Sequence, residues 1–441
     1  MGILQKRYIL IAFISLIAVS AFLHLWRIST PSWPIFDEAY FTTLPAQNVL
    51  REPYFDIHPP LGRLIFSLPL YFSNTESLKN ANFVKISRNA SANQLETEHK
   101  PDNYKEFPYV DLRLVSILSG LALLIALFLF IREVAGSYVA LLTLFFAVFE
   151  NALLLHTRLI LMDGMYLAFS LLGLYFFFRK KTAPVIAGLF WGLALSVKLT
   201  ALAFIGPVLI VWMITDNREE GGNMKKRVFK FILVGLLTLA ILWFLINLLL
   251  FPVGERIALF NNLFSLGLTS SFWAPILISL KEVVVSLLGY TLGYTSLFSS
   301  PWYFWPFMQG GIIYYQNAGS YIAFVGNKFV WYLSTLGVIV IIIKFMRDGI
   351  KRIGVSENFR PALILLGGYI FALVPFFTII RRDTFLYQYF PALVFAISLA
   401  AFLTVKFLEN KPRGIKNAIL SAIIILTIVG FVLSAPYTYG L

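Results

Sequence analysis

The sequence predicts an all-α polytopic membrane protein of about 11 transmembrane helices. Three observations carry this: an apolar composition, apolar runs of spanning length, and basic residues gathered in the short gaps between them. The 441-residue chain is 59% hydrophobic and 17% aromatic with only 13% charged residues, at a mean hydropathy of +0.79. A soluble fold needs far more polar surface to cover its core, so a bilayer is part of this chain's solvent. The 36 Lys+Arg against 22 Asp+Glu give a net charge of +14. These basic residues fall where cytoplasmic loops carry them, which sets nucleic acid aside as a partner. With no cysteine, disulfides, thiolate metal sites and cysteine nucleophiles are excluded.

The first run, Tyr8–Ile28 behind Lys6 and Arg7, matches a hydrocarbon core of roughly 30 Å and reads as a retained helix rather than a shorter signal-peptide core. With Lys6 and Arg7 cytoplasmic, an outer loop of about 29–109 follows. Within it Leu61–Phe72 reads as an interfacial helix, and Asn74–Lys105, polar and without periodicity, as the most flexible stretch. Spans follow at about 112–131, 138–156 (after a turn at Arg132-Glu133) and 159–178. The run Ala183–Ile214 has basic residues at both flanks, so it reads as two short helices meeting near Lys198 on the outer side. A span at 228–250 precedes a second outer loop, about 251–327, with another interfacial helix at Pro275–Tyr290. Spans at 329–346, 361–380, 385–405 and 417–435 complete the set and leave Pro436–Leu441 outside. The chain reads as one integral membrane domain over 1–441, without a separate soluble domain. The topology brings both loops and the tips at His156–Arg158, Lys198 and Arg381–Asp383 to one face. Charges there point to an outward-facing polar site.

The densest local signal is Phe36-Asp37-Glu38, followed by Asp56-Ile57-His58-Pro59-Pro60-Leu61-Gly62-Arg63. A carboxylate pair at the mouth of a membrane helix suits a general base beside a group that orients a nucleophile; a solvated acidic loop is the plain alternative. Pro-Pro before an interfacial helix is equally explained by the preference of Pro for a first helical turn. Asp163 falls within a span, where pairing with Arg158 is the structural alternative to a functional role. The Trp302–Trp305 block reads either as an interfacial aromatic belt or as a stacking surface for a sugar or peptide.

These blocks resemble, in order, the conserved segments of the protein O-mannosyltransferases, which are polyprenyl-phosphate-sugar-using membrane glycosyltransferases. Phe36-Asp37-Glu38 and His58-Pro59-Pro60-Leu61-Gly62-Arg63 are similar to the family's first outer loop. Further matches are Arg158-Leu159-Ile160-Leu161-Met162-Asp163, Gly192–Thr200 and Ser300-Pro301-Trp302-Tyr303-Phe304-Trp305-Pro306 with Gly326-Asn327, and, more loosely, Arg382 before Phe385–Ala392. The resemblance covers about residues 24–392 and implies a GT-C-type fold. It also implies that Asp37 is the base for an acceptor hydroxyl and that Glu38 helps place that acceptor. Arg113, Arg158, Lys198 and Arg382 are then the candidates to hold a lipid phosphate. His58, Trp302, Trp305 and Asn327 are candidate contacts to sugar or acceptor. Three departures mark a short, prokaryotic-type member: His24 where the family usually has Arg, Tyr387-Gln388 in place of a His-rich stretch, and no large inserted domain in the second outer loop.

Phosphate is a good leaving group, so the expected chemistry needs cations for the departing dianion and one carboxylate base, giving single displacement with inversion. The expected function is transfer of a hexose, mannose first, from a polyprenyl-phosphate donor to Ser/Thr of exported proteins. No cofactor is required and no metal-ligand spacing is seen. Expected partners are the lipid-linked donor, a protein or peptide acceptor and membrane lipids, at a cell membrane with the N-terminus cytoplasmic. Two alternatives stand beside it. One is a related transferase acting on lipid or glycan. The other is a transporter or flippase, which would show paired repeats and broken helices at the midplane.

Overall fold

The computed structural model describes residues 3–79, 83–89, 94–99, 103–179, 183–215, 221–250, 253–271, 273–288, 299–317, 319–348, 359–378 and 384–441. It is a helical bundle. Helix α1 (Ile3–Leu25) leads into a loop carrying α2 (Glu38–Leu50), α3 (Leu61–Leu70) and α4 (Thr75–Lys79). Then come α5 (Tyr109–Ala135), α6 (Ser137–Val148), α7 (Asn151–Arg158), α8 (Asp163–Phe178), α9 (Pro184–Val197), α10 (Gly206–Thr215) and α11 (Gly221–Leu250). A second loop holds α12 (Val253–Phe264) and α13 (Ala274–Leu288), before α14 (Lys328–Asp348), α15 (Arg360–Thr378), α16 (Phe390–Leu408) and α17 (Arg413–Tyr439) close the bundle.

Every expected apolar run contains helix, but not every one is long enough to span a membrane by itself. Among the described residues, seven helices (α1, α5, α11, α14, α15, α16 with its preceding turn, and α17) are long and apolar enough to cross a membrane, and the α6–α7 pair makes up to eight. The physical reason is polar interruption: α8, α9 and the segment Leu199–Thr215 are apolar helices of only 10–17 residues, cut short at Asp163 and Lys198. Asp163 is therefore the first residue of α8 rather than a mid-span charge. Lys198 lies, as expected, between two helices, in extended backbone after α9 and before a 3-10 turn at Leu199–Ile205.

The expected 138–156 span is bent by 68° between α6 and α7. Glu150 sits at the break, where its carboxylate caps α7 through the Ala152 N–H (3.1 Å) and accepts the Asn327 N–H (2.8 Å). A charge satisfied at a helix start fixes a new helix direction. The turn before α6 is made at Gly136, at φ +89, rather than at Arg132-Glu133, which complete the last turn of α5.

The chain is not wholly α. The stretch expected to be the most flexible contains α4 and an antiparallel hairpin, β1 (Val84–Asn89) with β2 (Gln94–His99). The second loop contains a second hairpin, β3 (Ile313–Asn317) with β4 (Ser320–Ala323), with an irregular register between Ile313 and Tyr315. The helix expected at Leu61–Phe72 ends at Leu70, and that expected at Pro275–Tyr290 starts at Ala274 and runs to Leu288, residues 289 and 290 lying outside the described residues.

Burial sorts the helices. Helix α16 is apolar on all sides and almost wholly enclosed, whereas α1 and α17 leave most of their surface exposed, as lipid-facing helices do. Close contact of α9 with α11 rests on Gly188 and Gly192, one turn apart. A Cβ on Gly188 would stand 2.6 Å from the Phe231 carbonyl oxygen, and one on Gly192 2.6 Å from that of Gly235. Lipid gives helices no hydrophobic reason to associate, so small residues that let backbones approach supply the contact. The site depends on this contact, because α9 ends at Lys198.

Candidate active site

Five helix ends meet at one end of the bundle: the end of α1, the start of α5, the end of α7 with the start of α8, and the end of α9. Glu38, the first residue of α2, is their hub. Its carboxylate takes a bidentate pair from Arg113 on α5 (Nε–Oε1 2.9 Å, Nη2–Oε2 2.8 Å). It also accepts the Ile35 N–H (3.0 Å), the Ile160 N–H (2.9 Å) and the Tyr104 hydroxyl (3.2 Å). Arg113 donates further to the carbonyls of Ile28 (2.8 Å) and Pro31 (2.9 Å). Both side chains are fully buried. A buried, fully hydrogen-bonded pair of this kind fixes the loop geometry. It corrects two expectations: Glu38 is turned inward and occupied, not free to place an acceptor, and Arg113 is paired and commits four of its five donors to internal acceptors rather than to a lipid phosphate.

Asp37 differs from its neighbour. It precedes α2 without capping it, keeps partial exposure, and among the described residues its carboxylate accepts no hydrogen bond and forms no ion pair. Desolvation pushes its pKa up to about 6, against the pull of Lys198 and His58, with Asp163 adding to the rise. Phe36 aims it: this residue is held at φ +52, unusual for a bulky side chain, and its ring stacks on Tyr314 at 4.4 Å.

Around Asp37 stands a second chain of groups. Lys198 Nζ pairs with Asp163 Oδ1 at 2.9 Å, His156 Nδ1 bonds Asp163 Oδ2 at 2.9 Å, and His156 Nε2 bonds the Tyr314 hydroxyl. The Lys198 ammonium also lies 5.5 Å from the Tyr166 ring centre and 5.4 Å from that of Tyr387. Asp163 thus pairs with Lys198 and His156, not with Arg158 as expected. His58 faces the same region, its Nδ1 on Asp56 at 2.9 Å.

The remaining expected residues serve the frame. Arg158 donates to the carbonyls of Trp26 (2.6 Å), Arg27 (3.2 Å) and Thr438 (3.3 Å) and lies 4.3 Å from the Tyr439 ring centre, so it ties α1 to α17 instead of standing free for a phosphate. Trp305 is fully buried and donates to Ser300, and Trp302 is half-buried against Phe377. Asn327 is also fully buried. It donates to the carbonyls of Phe149 (2.9 Å) and Thr427 (2.8 Å), and its Oδ1 caps α14. Trp305 and Asn327 therefore have no surface left for sugar or acceptor. His24 bonds Thr157 (2.8 Å) and the Ser20 carbonyl (2.7 Å), a packing role. Arg381 and Arg382 lie outside the described residues. Among the described residues, no group of three or more His, Asp or Glu is placed to hold a metal ion.

His156, Tyr314, Tyr387 and Asp56 are the site members that sequence reasoning missed. Asp56 alone carried a signal, two residues before His58; the His156–Tyr314 contact joins residues 158 positions apart.

The family profile described as dolichyl-phosphate-mannose-protein mannosyltransferase matches residues 14–254, and one described as the C-terminal four TMM region of protein-O-mannosyltransferase matches 284–441. Dolichyl-phosphate-mannose–protein mannosyltransferase 6 of Candida albicans is 30% identical over 172 residues, 38% of this chain and 19% of that protein. Protein O-mannosyltransferase 1 of Drosophila melanogaster is 31% identical over 144 residues, 30% of this chain and 16% of that protein. The matched segments thus span about a fifth or less of these curated relatives. Among solved structures, the S. cerevisiae protein O-mannosyltransferase Pmt1–Pmt2 complex bound to the sugar donor superimposes with a TM-score of 0.77 at 14% identity, over 100% of this chain and 91% of that one. ArnT from Cupriavidus metallidurans bound to undecaprenyl phosphate gives 0.53 at 16% identity, over 97% and 64%. The fold is that of the GT-C membrane glycosyltransferases, and with one family profile covering more than half of its length the chain belongs to the dolichyl-phosphate-mannose–protein mannosyltransferase family.

Proposed function

We propose that this protein transfers a hexose, mannose by the naming of its relatives, from a polyprenyl-phosphate donor to Ser or Thr hydroxyls of exported proteins, with inversion at the anomeric carbon. The observation that carries the reading is the contrast between two adjacent carboxylates. Glu38 is saturated by Arg113, whereas Asp37 is part-exposed, has no hydrogen-bond partner among the described residues, and stands within electrostatic reach of Lys198.

Asp37 is the base. Held near pH 6, its carboxyl is ionised at neutral pH yet basic enough to take a hydroxyl proton as that oxygen attacks. Lys198 is the cation for the departing phosphate, its ammonium pre-positioned by Asp163 and by the rings of Tyr166 and Tyr387. Arg382 joins it on the strength of the sequence resemblance. One carboxylate base with no second free carboxylate beside it favours single displacement over a retaining double displacement. The reading invokes no resident metal or cofactor. It places the active end of the bundle outside the cell membrane, because Lys344 and Arg347 close α14 at its other end, where positive residues stay cytoplasmic.

The test is reconstitution of the purified protein with radiolabelled polyprenyl-phosphate mannose and a Ser/Thr-rich peptide. Label on the peptide supports the reading. Label only on lipid or glycan moves the acceptor to that class, and no label from any of several donor sugars with folded protein refutes the transferase.

A further inference from the structure

We propose that His58 and Asp56 form a proton-relay dyad behind Asp37: His58 Nε2 takes the acceptor's proton on from Asp37, and Asp56 holds the imidazole for that task. This rests on the transfer reading above.

The geometry begins with the backbone. His58 precedes Pro59, which confines it to extended conformations, and its own N–H donates to Asp56 Oδ1 at 2.9 Å, closing a tight Asx turn. The ring is fixed twice more, by Nδ1 on the same Oδ1 at 2.9 Å and by edge-on packing against Phe41 at 5.6 Å. Phe41 follows Asp37 by four residues, and the Asp37 carboxyl feels the charge of His58, so the imidazole lies within electrostatic reach of that carboxylate. Asp37 and His58 keep partial exposure, the His58 side chain at 24%, while Asp56 is buried.

Asp56 is itself built in. Its Oδ2 takes Arg63 Nη1 at 3.0 Å, Arg63 lies 4.5 Å from the Tyr54 ring centre, and Arg63 Nη2 reaches Asn247 on α11 at 3.3 Å. Arg256 of α12 continues the network to Glu282 of α13 at 3.0 Å and to the Asn247 carbonyl at 3.1 Å. Burial alone would raise the Asp56 carboxyl, but His58 and Arg63 hold it below the usual carboxylate range. An ionised carboxylate only accepts, so His58 Nδ1 carries the hydrogen, and in the neutral form of the ring Nε2 presents its lone pair. Among the described residues nothing hydrogen-bonds to that Nε2.

The step balances. The acceptor oxygen forms its bond to the anomeric carbon as the bond from that carbon to the phosphate oxygen breaks, with the electron pair leaving on phosphate. The hydroxyl proton passes to the Asp37 carboxylate and then, through an intervening water, to His58 Nε2. The imidazolium, stabilised by Asp56, loses the Nε2 proton to water, and Asp37 is reset for the next turnover.

The experiment uses the full chain in proteoliposomes, with polyprenyl-phosphate mannose and a Ser/Thr-rich peptide, comparing wild type, His58→Ala and Asp56→Asn with and without added imidazole. The relay predicts a fall in kcat of about 10- to 100-fold in His58→Ala with donor KM within a few-fold, recovered in part by imidazole. Asp56→Asn, which keeps size and an acceptor oxygen, loses about 10-fold in kcat and gains nothing from imidazole. Undiminished kcat in both variants overturns the relay and leaves the transferase standing, as does a loss that imidazole does not recover in a His58→Ala protein of wild-type thermal stability. A wild type that transfers nothing overturns the functional reading itself, and the relay with it.

Discussion

Replacing Asp37 by Asn is expected to abolish activity and to stabilise the protein, and the second half follows from the site's electrostatics. Burial raises the Asp37 carboxyl from an ordinary 3.8 to about 6. A raised carboxyl pKa means that the folded protein binds the proton more tightly than the unfolded chain does. Stability is therefore fully retained below pH 3.8 and falls as pH rises toward 6; above that the whole cost of holding a charge in the site is present. A shift of about 2 units at 1.36 kcal/mol each sets a ceiling of about 3 kcal/mol, and the side chain's partial exposure brings the expected gain for Asp37→Asn to about 1–2 kcal/mol at pH 7.5. For a chain of this length that is a rise of about 1–3 °C in Tm. The assay is thermal unfolding of wild type and variant in detergent at pH 7.5, 5 and 4, with transfer activity measured in parallel. The variant should be more stable at pH 7.5, less so at pH 5, and level with wild type by pH 4, while its transfer rate falls by at least about 100-fold. Wild-type kcat/KM should lose activity through an acid limb centred near pH 6. A variant that is inactive but no more stable at pH 7.5, or whose stability difference does not change with pH, would refute the account of Asp37 as a desolvated, unpartnered base.

The Glu38–Arg113 pair makes the opposite prediction. Glu38→Ala strands a buried guanidinium and should cost about 3–5 kcal/mol in chemical denaturation, with the Glu38→Ala, Arg113→Ala double variant costing clearly less than the sum of the two. Asn327→Ala removes the donors to Phe149 and Thr427 and the α14 cap; it should lower stability by about 2–3 kcal/mol and leave donor KM unchanged in a kinetic assay, since Asn327 holds the frame. Lys198→Ala should lower kcat/KM for the donor by at least about 10-fold, read from initial rates, because the departing phosphate loses its cation. Gly192→Val forces α9 away from Thr238 and the Gly235 carbonyl, so it should reduce both Tm and donor affinity by displacing Lys198.

What the sequence revealed and what it concealed divide along range. Apolar runs record burial residue by residue, so the helices, the break at Lys198 and the two helices of the loops were legible from composition and charge alone. Asp37 was legible because its neighbours form a local block. The partner of Glu38 was not, because Arg113 lies 75 positions away on another helix and nothing in its own surroundings distinguishes a paired guanidinium from a phosphate-binding one. The same holds for Asp163. Its nearest basic residue in sequence, Arg158, is consumed by backbone carbonyls at the ends of α1 and α17, and the carboxylate turns instead to Lys198, 35 positions on, and to His156. The hairpins were hidden for a different reason: β1 and β2 together carry only Val84, Ile86 and Leu95 as aliphatic residues, too few to give the alternation by which a strand is recognised. The errors were thus of partnership rather than of residue type. A cation at a helix end in a membrane protein has two outlets, an internal acceptor or a ligand, and only the count of satisfied donors separates them. Arg113 places four of its five donors on internal acceptors and Arg158 three. Lys198, with one carboxylate and two aromatic rings around an ammonium that carries three donors, keeps the larger share for a ligand.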